Sequence, residues 1–204
     1  MNITTRSSLL CAIAFIALLP SAQASLVFTL TQDGCTGGCG VSPFGSITLD
    51  QTTPTLVTVT EVLYDSALFA GTGAGDALEF NVSGPVTLGA ITPGFAVGPA
   101  PDSASTFGIF LLSITCTVCQ GGKASNPAGP LSFTVTSAGG VSISDFTANA
   151  GGFYFASDIV GGNGNTGNVA ATAGVISHTP EPLSISLIGL GLAGIGVFKR
   201  RAAR

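Results

Sequence analysis

The chain has 204 residues, of which 8% are charged and 46% hydrophobic, with 29 glycines, one histidine and no tryptophan. That length fits one domain plus targeting segments. Between residues 25 and 179 a single base, Lys123, faces nine acids, which leaves this stretch at −8 and gives nucleic acid no electrostatic footprint. The acids read as a soluble acidic surface, with weak cation binding as the functional alternative.

Residues 1–24 read as a secretory signal peptide. Arg6 supplies the positive start, residues 9–19 are apolar, and Pro20 breaks the helix. Ala22-Gln23-Ala24 then gives a small-x-small pattern, so cleavage is expected between Ala24 and Ser25. Cys11 leaves with the signal.

Residues 25–169 read as an all-β ectodomain. Apolar residues alternate with Thr and Ser over residues 26–30, 47–49, 56–62 and 131–135. Such alternation turns one face inward and the other to solvent. Residues 106–115 are more continuously apolar and suggest a central strand, and residues 153–156 a further short one. Gly, Pro, Asn and Asp cluster between these runs, as hairpins and loops require. An antiparallel β-sandwich of the jelly-roll kind, with roughly eight or nine strands, is expected. Its core volume comes mainly from the 13 phenylalanines. Residues 161–168 read as a loop, and residues 170–179 as a last strand followed by a linker. The pairs Thr58/Thr60 and Thr134/Thr136 read as the solvent faces of unrelated strands.

Four cysteines remain after signal removal: Cys35, Cys39, Cys116 and Cys119. They permit three pairings. An oxidising compartment favours bridges, and the local pairs Cys35–Cys39 and Cys116–Cys119 are preferred. The spacings also suit zinc, which is the alternative. No catalytic residue, cofactor site or metal site is assigned. The only histidine, His178, falls in the expected linker, where geometry is poorly held. Asp76 and Glu79 could in principle act as a glycosidase pair, but no motif supports this and they read as solvated surface. Phosphate loops, dinucleotide fingerprints and EF-hand loops are absent from the sequence.

The C-terminal 180–204 stretch has three parts in order. Pro180-Glu181-Pro182 comes first, then the uncharged apolar residues 183–198, then Lys199, Arg200, Arg201 and Arg204 within a basic tail over 199–204. The apolar run is about 24 Å long as a helix, slightly short for a bilayer core, and snorkelling bases extend its reach. The basic end should stay in the cytoplasm, which places residues 25–179 outside. Gly189 and Ala193 add a small-xxx-small spacing that suits helix approach.

This three-part order resembles the PEP-CTERM sorting signal, a tail type also named after the C-terminal domain of some ice-binding proteins. The resemblance implies an exosortase as partner, cutting near Pro180-Glu181-Pro182, and release or transfer of the ectodomain to the cell surface. It also implies passage through the inner membrane and a setting of extracellular polysaccharide production. Gly75-Asp76-Ala77-Leu78-Glu79-Phe80-Asn81, Cys116-Thr117-Val118-Cys119, residues 129–135 and residues 153–159 look like one recurring ectodomain type of that family. This second likeness implies a class of ectodomain and no reaction. The expected function is therefore a non-enzymatic surface or matrix protein, with a polysaccharide-binding module as alternative and a secreted hydrolase as a remote one.

Overall fold

Val57, Val59 and Glu61 share one face of a strand because side chains alternate with period two, and all three are buried. The same rule builds most of the domain. The computed structural model describes residues 25–73 and 75–177. The signal peptide, His178, the sorting motif, the apolar run 183–198 and the basic tail lie outside these residues. Among the described residues no helix is long and apolar enough to cross a membrane.

The strands in chain order are β1 Ser25–Leu30, β2 Gln32–Asp33, β3 Gly45–Thr53, β4 Leu56–Leu63, β5 Leu68–Phe69, β6 Leu78–Phe80, β7 Thr87–Gly89, β8 Phe95–Val97, β9 Asp102–Ala104, β10 Gly108–Phe110, β11 Leu112–Cys116, β12 Leu131–Thr136, β13 Phe155–Val160, β14 Thr166–Ala171 and β15 Gly174–Ser177. One 3-10 turn, Ile143–Asp145, accompanies them. The first sheet runs β15-β1-β3-β4-β12-β7, and the second runs β2-β14-β13-β6-β11-β8 with β5 beside β13. All the strand pairs are antiparallel. The inner faces of both sheets feed one hydrophobic cluster, as in a β-sandwich.

Phe28, Phe69, Phe80, Phe133 and Phe155 fill this core and are almost fully buried. Phe80 lies at its centre, with ring centroids 5.4 Å from Phe133, 6.0 Å from Phe146 and 6.2 Å from Phe155. Burying each ring contributes about 2–3 kcal/mol.

Three readings of the sequence need correction. The strands are more numerous and shorter than expected, because loops interrupt the second sheet into pieces of two to six residues. Residues 106–115 are not one strand: Leu111 is exposed and its N–H donates to Asn81 Oδ1 at 2.8 Å, so the chain leaves the β9–β10 hairpin there and enters the second sheet as β11. Residues 161–168 are only partly loop, since β14 starts at Thr166 and pairs with β13 through Val160↔Thr166.

The threonine pairs are also closer than their sequence positions suggest. Thr58 stands opposite Thr134, and Thr60 is flanked by Thr48 and Ser132. These half-buried hydroxyls form one polar outer face on the first sheet.

Candidate functional site: a roofed carboxylate cluster

The second sheet is covered on both faces. Leu78, Phe80, Phe155, Ile159 and Val169 point into the main core, so their alternating neighbours must point to the other side. Those neighbours include Glu79 on β6, Asp158 on β13, Asn168 on β14 and Ser113 on β11. Register brings them together: Glu79 faces Ser113 and Ala156, and Asp158 faces Asn168. The β9–β10 hairpin roofs this face. Its Ala104, Phe107 and Phe110 pack with Ala156 and Ala170 in a second apolar cluster. Phe107 lies edge-on to Phe153 at 4.9 Å, and Asn149 Nδ2 holds the Phe107 carbonyl at 2.8 Å.

Asp76, from the loop before β6, and Asp102, at the start of β9, complete the cluster at its partly open side. Glu79 and Asp158 are 0% exposed. Two glycines leave the space the acids occupy. A Cβ on Gly75 would lie 2.9 Å from Asn168 Oδ1 and 3.0 Å from Glu79 Oε1. A Cβ on Gly98 would overlap Ser113 Oγ and Asp76 Oδ2.

Hydrogen bonds hold part of each acid. Thr72 N and Oγ1 donate to Asp158 Oδ2 at 2.8 and 2.7 Å, and Asp76 N donates to Glu79 Oε1 at 3.3 Å. Ser113 Oγ lies 2.5 Å from Asp76 Oδ2 and 2.8 Å from Pro99 O. One hydroxyl proton cannot serve both acceptors. Among the described residues no donor faces the buried Glu79 Oε2 or Asp158 Oδ1, and the Asp102 carboxyl lies beside Glu79.

The electrostatics follow from this packing. Burial, with Asp102 beside it, pushes Glu79 up to about 9. Burial also raises Asp76, against the lowering effect of the Ser113 and Thr115 hydroxyls. It raises Asp158 too, against the Thr72 donors. Lys123 does not reach the cluster: its Nζ sits 2.5 Å from Gln120 Oε1. Asp76 and Glu79 are therefore not the solvated pair that their spacing suggested. A substrate-sized sugar has no access to the enclosed Glu79.

A fifth acid is buried separately. Glu61 takes an inward position on β4, opposite Ile47 of β3 and Leu131 of β12. Burial pushes it up to about 8, against the lowering effect of the nearby Ser157 hydroxyl. Ser157 Oγ donates to Ala77 O at 2.8 Å, and among the described residues no donor within hydrogen-bond distance serves either Glu61 oxygen.

The cysteines are paired locally, as preferred from the sequence. Cys35 bridges Cys39 and Cys116 bridges Cys119, with Cα–Cα separations of 5.4 Å in both. Asp33 organises the first loop: its Oδ1 and Oδ2 accept from Cys35 N at 2.9 Å and Cys39 N at 3.0 Å. Asp33, Cys35 and Cys39 place ligand atoms within 4.8 Å of one another, but both sulfurs are consumed by the bridge. Asn163 and Asn165 tie this loop to the β13–β14 turn through Gly38 O at 2.9 and 2.8 Å. Beside it lies an open groove of about 340 Å³ lined by Val41, Phe44, Tyr64, Asp65 and Asn163. Asp65 and Ser66 both have positive φ, 50° and 62°, at the turn that presents Tyr64.

Of the sequence-assigned positions, the structure therefore places the four cysteines and Ser25, the first residue of β1. It also brings together acids that the sequence left scattered. Comparison of the chain with family models, curated proteins and solved structures gives no match.

Proposed function

We propose that this chain is an exported, non-enzymatic surface or matrix protein. A cleaved signal peptide delivers it, residues 183–198 hold it in the inner membrane, and an exosortase processes it near Pro180-Glu181-Pro182. The observation that carries this reading is the pairing of Cys35, Cys39, Cys116 and Cys119 into two local bridges. Such bridges persist in oxidising compartments and are rare in the cytosol. Each five- or four-residue loop would contribute on the order of 2 kcal/mol by the chain-entropy argument. The compact β unit spans Ala24–Ser177, so the two stretches read as targeting signals flank it. We read its two facing sheets as a jelly-roll-like sandwich. The enclosure of Glu79 supports a non-catalytic role.

The test is the intact mass of the exported protein. Wild-type chain should begin at Ser25 and end near Pro180, whereas Glu181→Ala should accumulate in the membrane with its tail attached. Identical processing of both would remove the sorting reading.

The groove favours a second role within the same architecture, binding of extracellular polysaccharide. Tyr64 offers an apolar ring beside Asp65 and Asn163, a combination that suits sugar faces and hydroxyls. The purified protein should be retarded in affinity gels containing the producing cell's exopolymer, and Tyr64→Ala should abolish the retardation. Unretarded wild-type protein would reject this role.

A further inference from the structure

Three segments converge on the groove beside the first disulfide: the loop between β2 and β3, the turn after β4, and the turn between β13 and β14. Glycines let them touch. A Cβ on Gly161 would overlap Cys39 O, and one on Gly162 would overlap Asp65 O. Ala67 N donates to Tyr64 O at 2.9 Å and closes the middle turn, whose central residues, Asp65 and Ser66, both have positive φ. Asn and Gly are the usual occupants of such a turn, so this conformation is held at some cost, and it carries Tyr64 and Asp65 to the groove. The lining is largely apolar. Val41 is 81% exposed and Tyr64 37%, and the buried Phe44 joins them, its carbonyl accepting from Tyr64 N at 2.9 Å. Asn163 is already engaged: its Nδ2 donates to Gly38 O at 2.9 Å, and its Oδ1 accepts from Asn165 N at 3.0 Å. Asp65 is the charged side chain of the lining; it is exposed, and among the described residues no hydrogen bond or ion pair reaches its carboxylate. A second carboxylate, Asp33, stands behind Cys39, whose N–H it accepts at 3.0 Å.

We infer that this groove takes an amino-sugar polymer, a glycan with free, protonated amines, which lays a sugar face on Tyr64 and an ammonium beside Asp65. The inference rests on the polysaccharide-binding reading above and names the class of polymer. Charge decides that class. Between residues 25 and 177 nine acids stand against one base, Lys123, which lies outside the groove lining and donates to Gln120 Oε1. A uronate or sulfated chain would meet Asp65 and Asp33 with no base to answer it, and like charges set against each other disfavour a complex. A fully acetylated chain would keep the contact with the ring and lose the ion pair. A protonated amine gains twice, since an ammonium is also attracted to the face of a tyrosine ring.

The experiment is calorimetric titration of the purified full chain with short glucosamine, N-acetylglucosamine and uronate oligomers, at mildly acidic pH where the sugar amine is protonated. Wild-type protein should bind the glucosamine oligomer about two- to fivefold more tightly than the acetylated one, the range for one exposed ion pair, and should not bind the uronate oligomer. Added salt should erase the difference. Asp65→Asn keeps a residue that tolerates positive φ, so it should fold, and it should bind the glucosamine oligomer only as well as the acetylated one. Tyr64→Ala should lose both. Asp50→Asn removes an exposed acid of β3 and should change nothing, which separates the groove from the general attraction of an acidic protein for cations. Equal wild-type affinity for the glucosamine and acetylated oligomers overturns the inference. So does a preference that survives Asp65→Asn or falls as far in Asp50→Asn. Oligolysine that binds as tightly as the glucosamine oligomer also overturns it, and assigns the groove to a basic peptide. In each of these cases, exopolymer gels that retard wild type but not Tyr64→Ala would leave the wider polysaccharide reading standing, whereas unretarded wild-type protein would remove both.

Discussion

Glu61→Leu is expected to stabilise the domain, and to do so more at pH 8 than at pH 5. The folded state holds this carboxyl at about 8, against 4.5 for the ordinary group. Below pH 4.5 the side chain is protonated in both folded and unfolded chains, and its contribution is intact. Between 4.5 and 8 the unfolded chain releases the proton while the folded chain keeps it, so stability falls as pH rises through this window. At about 1.4 kcal/mol per pH unit, the loss across the window is on the order of 5 kcal/mol. Among the described residues no charged group changes this sign: Glu61 stands opposite Ile47 and Leu131, with Ser157 nearby. Leucine has similar volume, carries no proton and leaves no unpaired oxygen. Glu61→Gln should also flatten the pH dependence, but with a smaller gain because its amide stays unsatisfied. Urea unfolding at several pH values checks both variants. Curves for Glu61→Leu that run parallel to wild type from pH 5 to 8 would show that Glu61 ionises normally in the folded chain. Asp76, Glu79 and Asp158 are shifted in the same direction, so residual pH dependence should survive in the variant.

Phe80→Ala should cost about 3–5 kcal/mol, the range for removing a fully buried aromatic ring. Phe80 is 0% exposed and sits among Phe133, Phe146 and Phe155, which are held by strands of both sheets and by the segment after the 3-10 turn. A rigid surround of this kind cannot collapse into the vacated space. For a domain of this size the melting temperature should drop by roughly 10 °C. Phe80→Leu should lose less than half as much. A loss below about 1 kcal/mol in Phe80→Ala would mean that the sheets do not share a single packed core there.

The first sheet was legible because its strands are long and one-sided. In β4, Val57 and Val59 alternate with Thr58 and Thr60, and in β12 Leu131, Phe133 and Val135 alternate with Ser132 and Thr134. The second sheet was less legible because β13 and β14 are buried on both faces, which erases the alternation that marks an exposed face. The break at Leu111 depends on a hydrogen bond from distant Asn81, so no local pattern announces it. The local cysteine pairs could be preferred from spacing and compartment alone. The carboxylate cluster could not be found that way, since its roof arrives from β9 and β10. One signal was nevertheless present: Glu79 stands between Leu78 and Phe80, and Glu61 and Asp158 are each followed by an apolar residue, Val62 and Ile159. An acid inside such a run asks for a burial argument before it is assigned to solvent.

Export, oxidation and trimming at both ends are tested most directly by the intact mass of the protein recovered from outside the inner membrane. The predicted species starts at Ser25, ends near Pro180-Glu181-Pro182 and lacks the four cysteine hydrogens lost to two bridges. Recovery of the whole chain, residues 1–204, with Cys35, Cys39, Cys116 and Cys119 all reduced would contradict it.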